Sequence, residues 1–214
     1  MLGVDHAVAG IHTFALTRPP GHHAGADAAM GFCLFNNVAV AVRHAQRQHN
    51  IGRIAIVDID VHHGNGTEAI FLEDPDVFYM SIHEFPFYPG TGAASQCGVG
   101  AGLGTTLNIP LSAGTSAGAW LDAFDGQIMP ALHGFKPDLV VVSAGFDAAA
   151  LDPLADLNVD NAAYAAVAER LARFPTGCAT AWCLEGGYDL EALGGGVVAV
   201  LRELVAHAPS RAKH

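Results

Sequence analysis

Short apolar, β-branched runs alternate along this chain with stretches of helical spacing. The clearest run, 54–57, is four apolar residues between Arg53 and Asp58 and reads as a strand buried on both faces. Strands are also expected at 77–81, 105–109 and 179–184, and at 139–143, which has the same β-branched and apolar character. A shorter one at 12–16 ends in Thr17-Arg18-Pro19-Pro20-Gly21, which cannot be helix interior. Between them, Val38, Val42 and Ala45 recur at helical spacing behind Asn36, a favoured cap, and predict a helix to about His49. Further helices are expected over 67–72 and 116–132, from Asp160 to about Arg173, and after Asp189. Residues 1–11 are weakly patterned, and 85–92 form an aromatic and proline loop. Strands alternating with helices give an α/β fold, a mostly parallel sheet of about six strands with helices on both faces. No repeat or linker divides the chain, so 1–214 is read as a single domain.

Composition narrows the function classes. The 214 residues suffice for one hydrophobic core. The net charge is −11, with only 10 Lys and Arg, which argues against a nucleic-acid partner. An acidic exterior would draw cationic substrates, although solubility explains it equally well. No run reaches the ~18 apolar residues of a membrane span, and the first residues lack the pattern of a signal peptide. Cys33, Cys97, Cys178 and Cys183 form no C-x-x-C pair, as expected of reduced thiols in a cytoplasmic protein.

The candidate chemistry lies just after the strands. Asp58, Asp60 and His62 follow the 54–57 run at a spacing of two, so an extended chain projects all three to one side, while His63 points elsewhere. Carboxylate oxygens and an imidazole at a strand end form a metal-ligand set suited to Zn²⁺ or a similar ion; the alternative is a turn with solvated acids. His22 and His23 sit in a glycine loop and can serve as general base and general acid, or be surface histidines. Asp147 in SAGFD is a further strand-end carboxylate or else a helix cap. In LEGGY, Gly186 and Gly187 let the backbone approach a ligand, and Tyr188 could donate to an oxyanion or be a core tyrosine. Four such strand ends on one sheet edge make coincidence a poor explanation.

The motifs RPPGHHAG, GFCLFNN, DIDVHHGNGT, YPGTG, SAGFDA and LEGGY, in this order over roughly 14–204, resemble the zinc-dependent histone deacetylase family and its bacterial deacetylase-like amidohydrolases. The resemblance implies an arginase/deacetylase-like sheet with strand order 1-6-5-2-3-4. It implies one Zn²⁺ per chain on Asp60, His62 and Asp147, with His22 and His23 as the active-site histidines and Tyr188 as the transition-state tyrosine. Gly31, Phe32, Tyr88 and Leu154, together with Gly186, match positions around the acyl pocket. Asp58 matches the partner of the first histidine and, with Ser81, the ligands of a structural K⁺ or Na⁺. Asn65 stands beside His23 where one branch has aspartate. A neutral partner should leave His23 less basic than an aspartate would, and Asp58 should make His22 the more basic of the two. Asn65 and Glu185 resemble the second class of these enzymes and their bacterial relatives.

The implied activity is hydrolysis of acyl amides such as acetyl-lysine or acetylated amines. A zinc carboxylesterase with the same site, and a non-catalytic remnant that binds zinc or acyl-lysine, remain as alternatives. The arginase type, with two manganese ions, needs carboxylates this sequence lacks, and the glycine stretch 98–105 matches no phosphate loop. Family members have further strands before RPPGHH, whereas only residues 1–17 precede Arg18 here. The 12–16 strand is therefore expected to be an edge, self-association through residues 1–16 is expected, and the pocket mouth should be wider than in longer relatives.

Overall fold

The computed structural model describes residues 1–208. Six strands form one parallel sheet: β1 (Thr13–Ala15), β2 (Ile54–Asp58), β3 (Val77–Glu84), β4 (Thr106–Leu111), β5 (Leu139–Ala144) and β6 (Ala181–Leu184). Their order is β1-β6-β5-β2-β3-β4, as the resemblance implied. The central strands are buried along their whole length, which explains why β2 and β5 read as unbroken apolar runs.

Successive side chains of a strand leave on opposite faces, so each strand feeds two cores. On one face, Ile54, Ile56, Val77, Leu139 and Val141 pack against α2 (Asn37–His49) and α3 (Asn65–Phe71). On the other, Ala55, Val57, Met80, Val140, Val142 and Trp182 meet α4 (Ala117–Ala123), α5 (Met129–Phe135), α6 (Asn161–Ala172) and α7 (Leu190–Ala206). The side chains of Asn36, Ser116, Asp160 and Asp189 each accept from the backbone N–H three residues on, the geometry that starts a helix.

The structure corrects several element readings. Residues 1–11 contain α1 (Leu2–Val8), whose Val4 and Ala7 are buried on the α2 face of the sheet. Two buried positions in a seven-residue helix are too few to register as a period. Helix α3 begins at Asn65, two residues before the expected Thr67, and a Cβ at Gly66 would strike the His23–Ala24 backbone. The helix expected over 116–132 is α4 and α5 joined by a π-helical turn, Phe124–Ile128. Strand β3 runs on to Glu84, since His83 and Glu84 are polar yet buried. Among the described residues β1 pairs only with β6 and is an edge of the sheet, while α1 reaches it through the Thr13 hydroxyl, which donates to the Gly3 carbonyl.

Candidate active site

From β2 the chain moves outward to β3 and β4, then returns to β5 on the other side of β2 and moves outward again to β6. The loops leaving β2 and β5 therefore part in opposite directions and open a crevice at the carboxyl ends of the strands, the usual ligand position in open α/β sheets. Asp60 follows β2 and Asp147 follows β5, so the topology itself brings them together.

Strand β2 ends at Asp58, yet the alternation continues beyond it. Ile59 and Val61 enter the core, while Asp60 and His62 meet Asp147. His62 Nδ1 lies 3.2 Å from Asp60 Oδ1 and 3.1 Å from Asp147 Oδ2. Ligand atoms around a tetrahedral Zn²⁺ with bonds of 2.0–2.2 Å stand about 3.3 Å apart, so this spacing fits the ion. The remaining carboxylate oxygens are held by backbone donors: Gly186 N–H to Asp60 Oδ2 at 2.8 Å and Val61 N–H to Asp147 Oδ1 at 3.0 Å. A side chain at Gly145 would run into Asp60, and one at Gly186 into Asp147 and Asp60, so both glycines are fixed by close packing on the carboxylates. Asp147 is thus no helix cap; no helix follows it until α6.

The electrostatics point the same way. Asp58, Asp60 and Asp147 are all fully buried, where a carboxylate costs several kcal/mol unless a cation accompanies it. Burial, then the Asp60 charge, pushes the Asp147 carboxyl well above the usual carboxylate range. Burial alone would lower the His62 pKa, but its hydrogen bonds to Asp147 and Asp60 outweigh that and push it up to about 10.

The two loop histidines lie side by side with different partners. His22 Nδ1 is 3.0 Å from Asp58 Oδ2; burial opposes its charge, but Asp60 and Asp58 overcome this and raise its pKa well above the ordinary value. His23 Nδ1 is 2.8 Å from Asn65 Oδ1, and burial followed by the charge of His22 pushes its pKa down to about 3. The amide oxygen only accepts, so Nδ1 of His23 carries the hydrogen and Nε2 keeps its lone pair.

A cavity of about 460 Å³ opens beside these groups, lined by His23, Gly31, Phe32, His62, Phe87, Tyr88, Leu154 and Tyr188. Its size suits a small organic group. Phe87 stacks on His62 with ring centroids 5.4 Å apart, and Tyr88 meets His23 edge-on at 5.1 Å. Gly31 has φ +52°, and a Cβ there would strike the His23 ring. Phe32 follows it in the left-handed region at φ +64° and is largely exposed at the rim. Burial, then the Asp60 and Asp147 charges, raises the Tyr188 phenol pKa, so its hydroxyl stays protonated and can donate.

Asp58 and Ser81 are register neighbours on β2 and β3. Ser81 Oγ is bonded to His83 Nδ1, while Asp58 accepts from the Asp60 N–H and the Tyr79 hydroxyl. Three further residues serve the site without having been singled out for it. Phe87 lies beside Tyr88, and that adjacency was its only signal. Glu185 accepts the Gly21 and His22 N–H groups and the Ser143 hydroxyl, pinning the histidine loop to β5. Asp152 accepts the Tyr188 and Asp189 N–H groups on one oxygen and the Leu154 N–H on the other, so one buried carboxylate ties together two pocket walls.

A family model described as "Histone deacetylase domain" matches residues 1–204. Histone deacetylase 14, chloroplastic, of Arabidopsis thaliana is 51% identical over 195 residues, covering 90% of this chain and 46% of that one. A probable deacetylase of Methanothermobacter thermautotrophicus is 46% identical over 207 residues, covering 95% of this chain and 62% of its own. The crystal structure of the HDA15 HD domain superposes with a TM-score of 0.90 at 42% identity, covering 95% of this chain and 61% of that one. The chain thus spans less than half of the plant protein and under two thirds of the archaeal one.

Proposed function

Because the chain belongs to the histone deacetylase family, we propose that it is a zinc-dependent hydrolase that removes acetyl or related acyl groups from amides such as acetyl-lysine or acetylated amines. The observation that carries this reading is the Asp60–His62–Asp147 donor set beside a cavity whose other polar groups are the His23 imidazole and the Tyr88 and Tyr188 phenols. A zinc ion held by those three residues would supply the Lewis acidity that polarises an acyl carbonyl and acidifies water.

The chain's own groups divide the remaining work. His23, neutral and with Nε2 free, takes the proton from the attacking water and returns it to the leaving amine. His22, braced by Asp58, lies beside it and favours the developing negative charge on the acyl oxygen. The Tyr188 hydroxyl donates a hydrogen bond to that oxyanion. Phe32, Phe87, Tyr88 and Leu154 provide an apolar passage for the alkyl arm of the acylated amine and displace water from it.

A panel of acetyl-lysine peptides, acetylated polyamines and aryl acetates, offered to the zinc-loaded protein, tests the assignment. Turnover of the amides is expected. Turnover of esters alone would move the site to carboxylesterase chemistry, and zinc retention without turnover would make it a binding module.

The pairing of His23 with Asn65 makes a pH prediction. A carboxylate in place of the amide favours the charged imidazole and so raises the pKa of His23. The base must be neutral, so Asn65→Asp should move the acid limb of the kcat/KM profile upward by roughly one pH unit or more. An unmoved limb would remove His23 as the base.

A further inference from the structure

A second group of metal-ligating side chains lies outside the crevice. Asp5 on α1 and His44 and His49 on α2 bring one ligand atom each to within 4.8 Å of one another. His44 Nε2 is 2.5 Å and His49 Nε2 is 2.7 Å from the same oxygen, Asp5 Oδ1. The two imidazoles meet edge-on with centroids 5.5 Å apart. Helix α2 ends at His49, shortly before β2 begins, so this cluster lies at the amino-terminal edge of the sheet, opposite the catalytic crevice.

We propose that Asp5, His44 and His49 form a second, peripheral site for a divalent late transition-metal ion of the zinc type. Two imidazoles and one carboxylate are a donor set such ions take readily, with water completing the coordination. Among the described residues these three side chains hydrogen-bond only to one another, so nothing else holds their ligand atoms in other orientations. Zinc ligands stand about 3.3 Å apart, and the contacts of 2.5 and 2.7 Å reach that spacing with an opening of about 0.6–0.8 Å, within the range of small side-chain rotations.

The site is also reachable. The Asp5 side chain is 40% exposed, and those of His44 and His49 are 18% and 25% exposed, which leaves room for an ion to enter and keep water ligands. An ion bound there fastens α1 to α2 across a long stretch of sequence and stabilises the folded chain by mass action.

Equilibrium dialysis against micromolar Zn²⁺, followed by elemental analysis, tests the proposal. His49→Ala and the nearly isosteric Asp5→Asn should each hold one zinc fewer per chain than the unaltered protein, with turnover and far-ultraviolet circular dichroism unchanged. Asp147→Ala should lose the other zinc and keep this one. The readout is a difference between proteins, so it stands whether or not the crevice proves catalytic. Equal zinc content in His49→Ala, Asp5→Asn and the unaltered protein would overturn the proposal and leave a hydrogen-bonded clasp of two imidazoles on one carboxylate.

Discussion

Asp147→Ala is expected to lose the crevice zinc and, with it, turnover by more than about 10³-fold, beyond the loss of any single oxyanion donor. The substitution removes the oxygen 3.1 Å from His62 Nδ1 and leaves two protein ligands, too few for a site that must also keep a position open for substrate. The fold should survive it. In the metal-free protein the Asp147 carboxyl is strained by burial and by the Asp60 charge, so its removal relieves repulsion. The opposing costs are the Val61 N–H left without its acceptor, about 1–3 kcal/mol, and the loss of the Asp147 contact with His62 Nδ1. Elemental analysis and a thermal melt of the metal-free forms check both halves. Retained zinc with near-normal turnover would refute the ligand assignment.

Tyr188→Phe is the second large effect, and its pattern differs. It deletes one hydroxyl and no metal ligand, so zinc content should hold while kcat falls by about 10²–10³. The backbone contacts that place this residue come from Asp152 and are untouched, as is the edge-on packing on Phe32, with centroids 6.1 Å apart. KM should therefore change little. A large rise in KM with kcat preserved would make Tyr188 a substrate-binding residue instead of an oxyanion donor.

Much of the molecule was legible because its main determinants are local in the chain. Residues 54–57 of β2 and 139–142 of β5 are unbroken apolar runs, and helices α2, α6 and α7 begin at side-chain caps that the sequence displays. Asp60 and His62 could be paired because the period-two projection continues for a few residues after β2 ends. What was missed depends on contacts made across the fold. Helix α1 owes its place to burial of Val4 and Ala7 against α2 and β6, and its seven residues carry no periodic signal. Asp152 and Glu185 act by accepting backbone N–H groups from segments far away in sequence, so no neighbouring residue marks them. Phe87 differs from any loop aromatic only through its stacking on His62. The Asp5–His44–His49 group is invisible for the same reason: its donors come from two helices, one of which the pattern does not reveal.

The proposed function is zinc-dependent cleavage of an acyl amide in the crevice between β2 and β5. Its most direct test is the rate of acetyl-lysine hydrolysis by the purified protein before chelation, after chelation and dialysis, and after zinc is returned. The rate should fall to background on chelation and recover with zinc in the unaltered protein and in His49→Ala, but not in Asp147→Ala. Hydrolysis that persists in the chelated protein, or that zinc restores equally in Asp147→Ala, would contradict it.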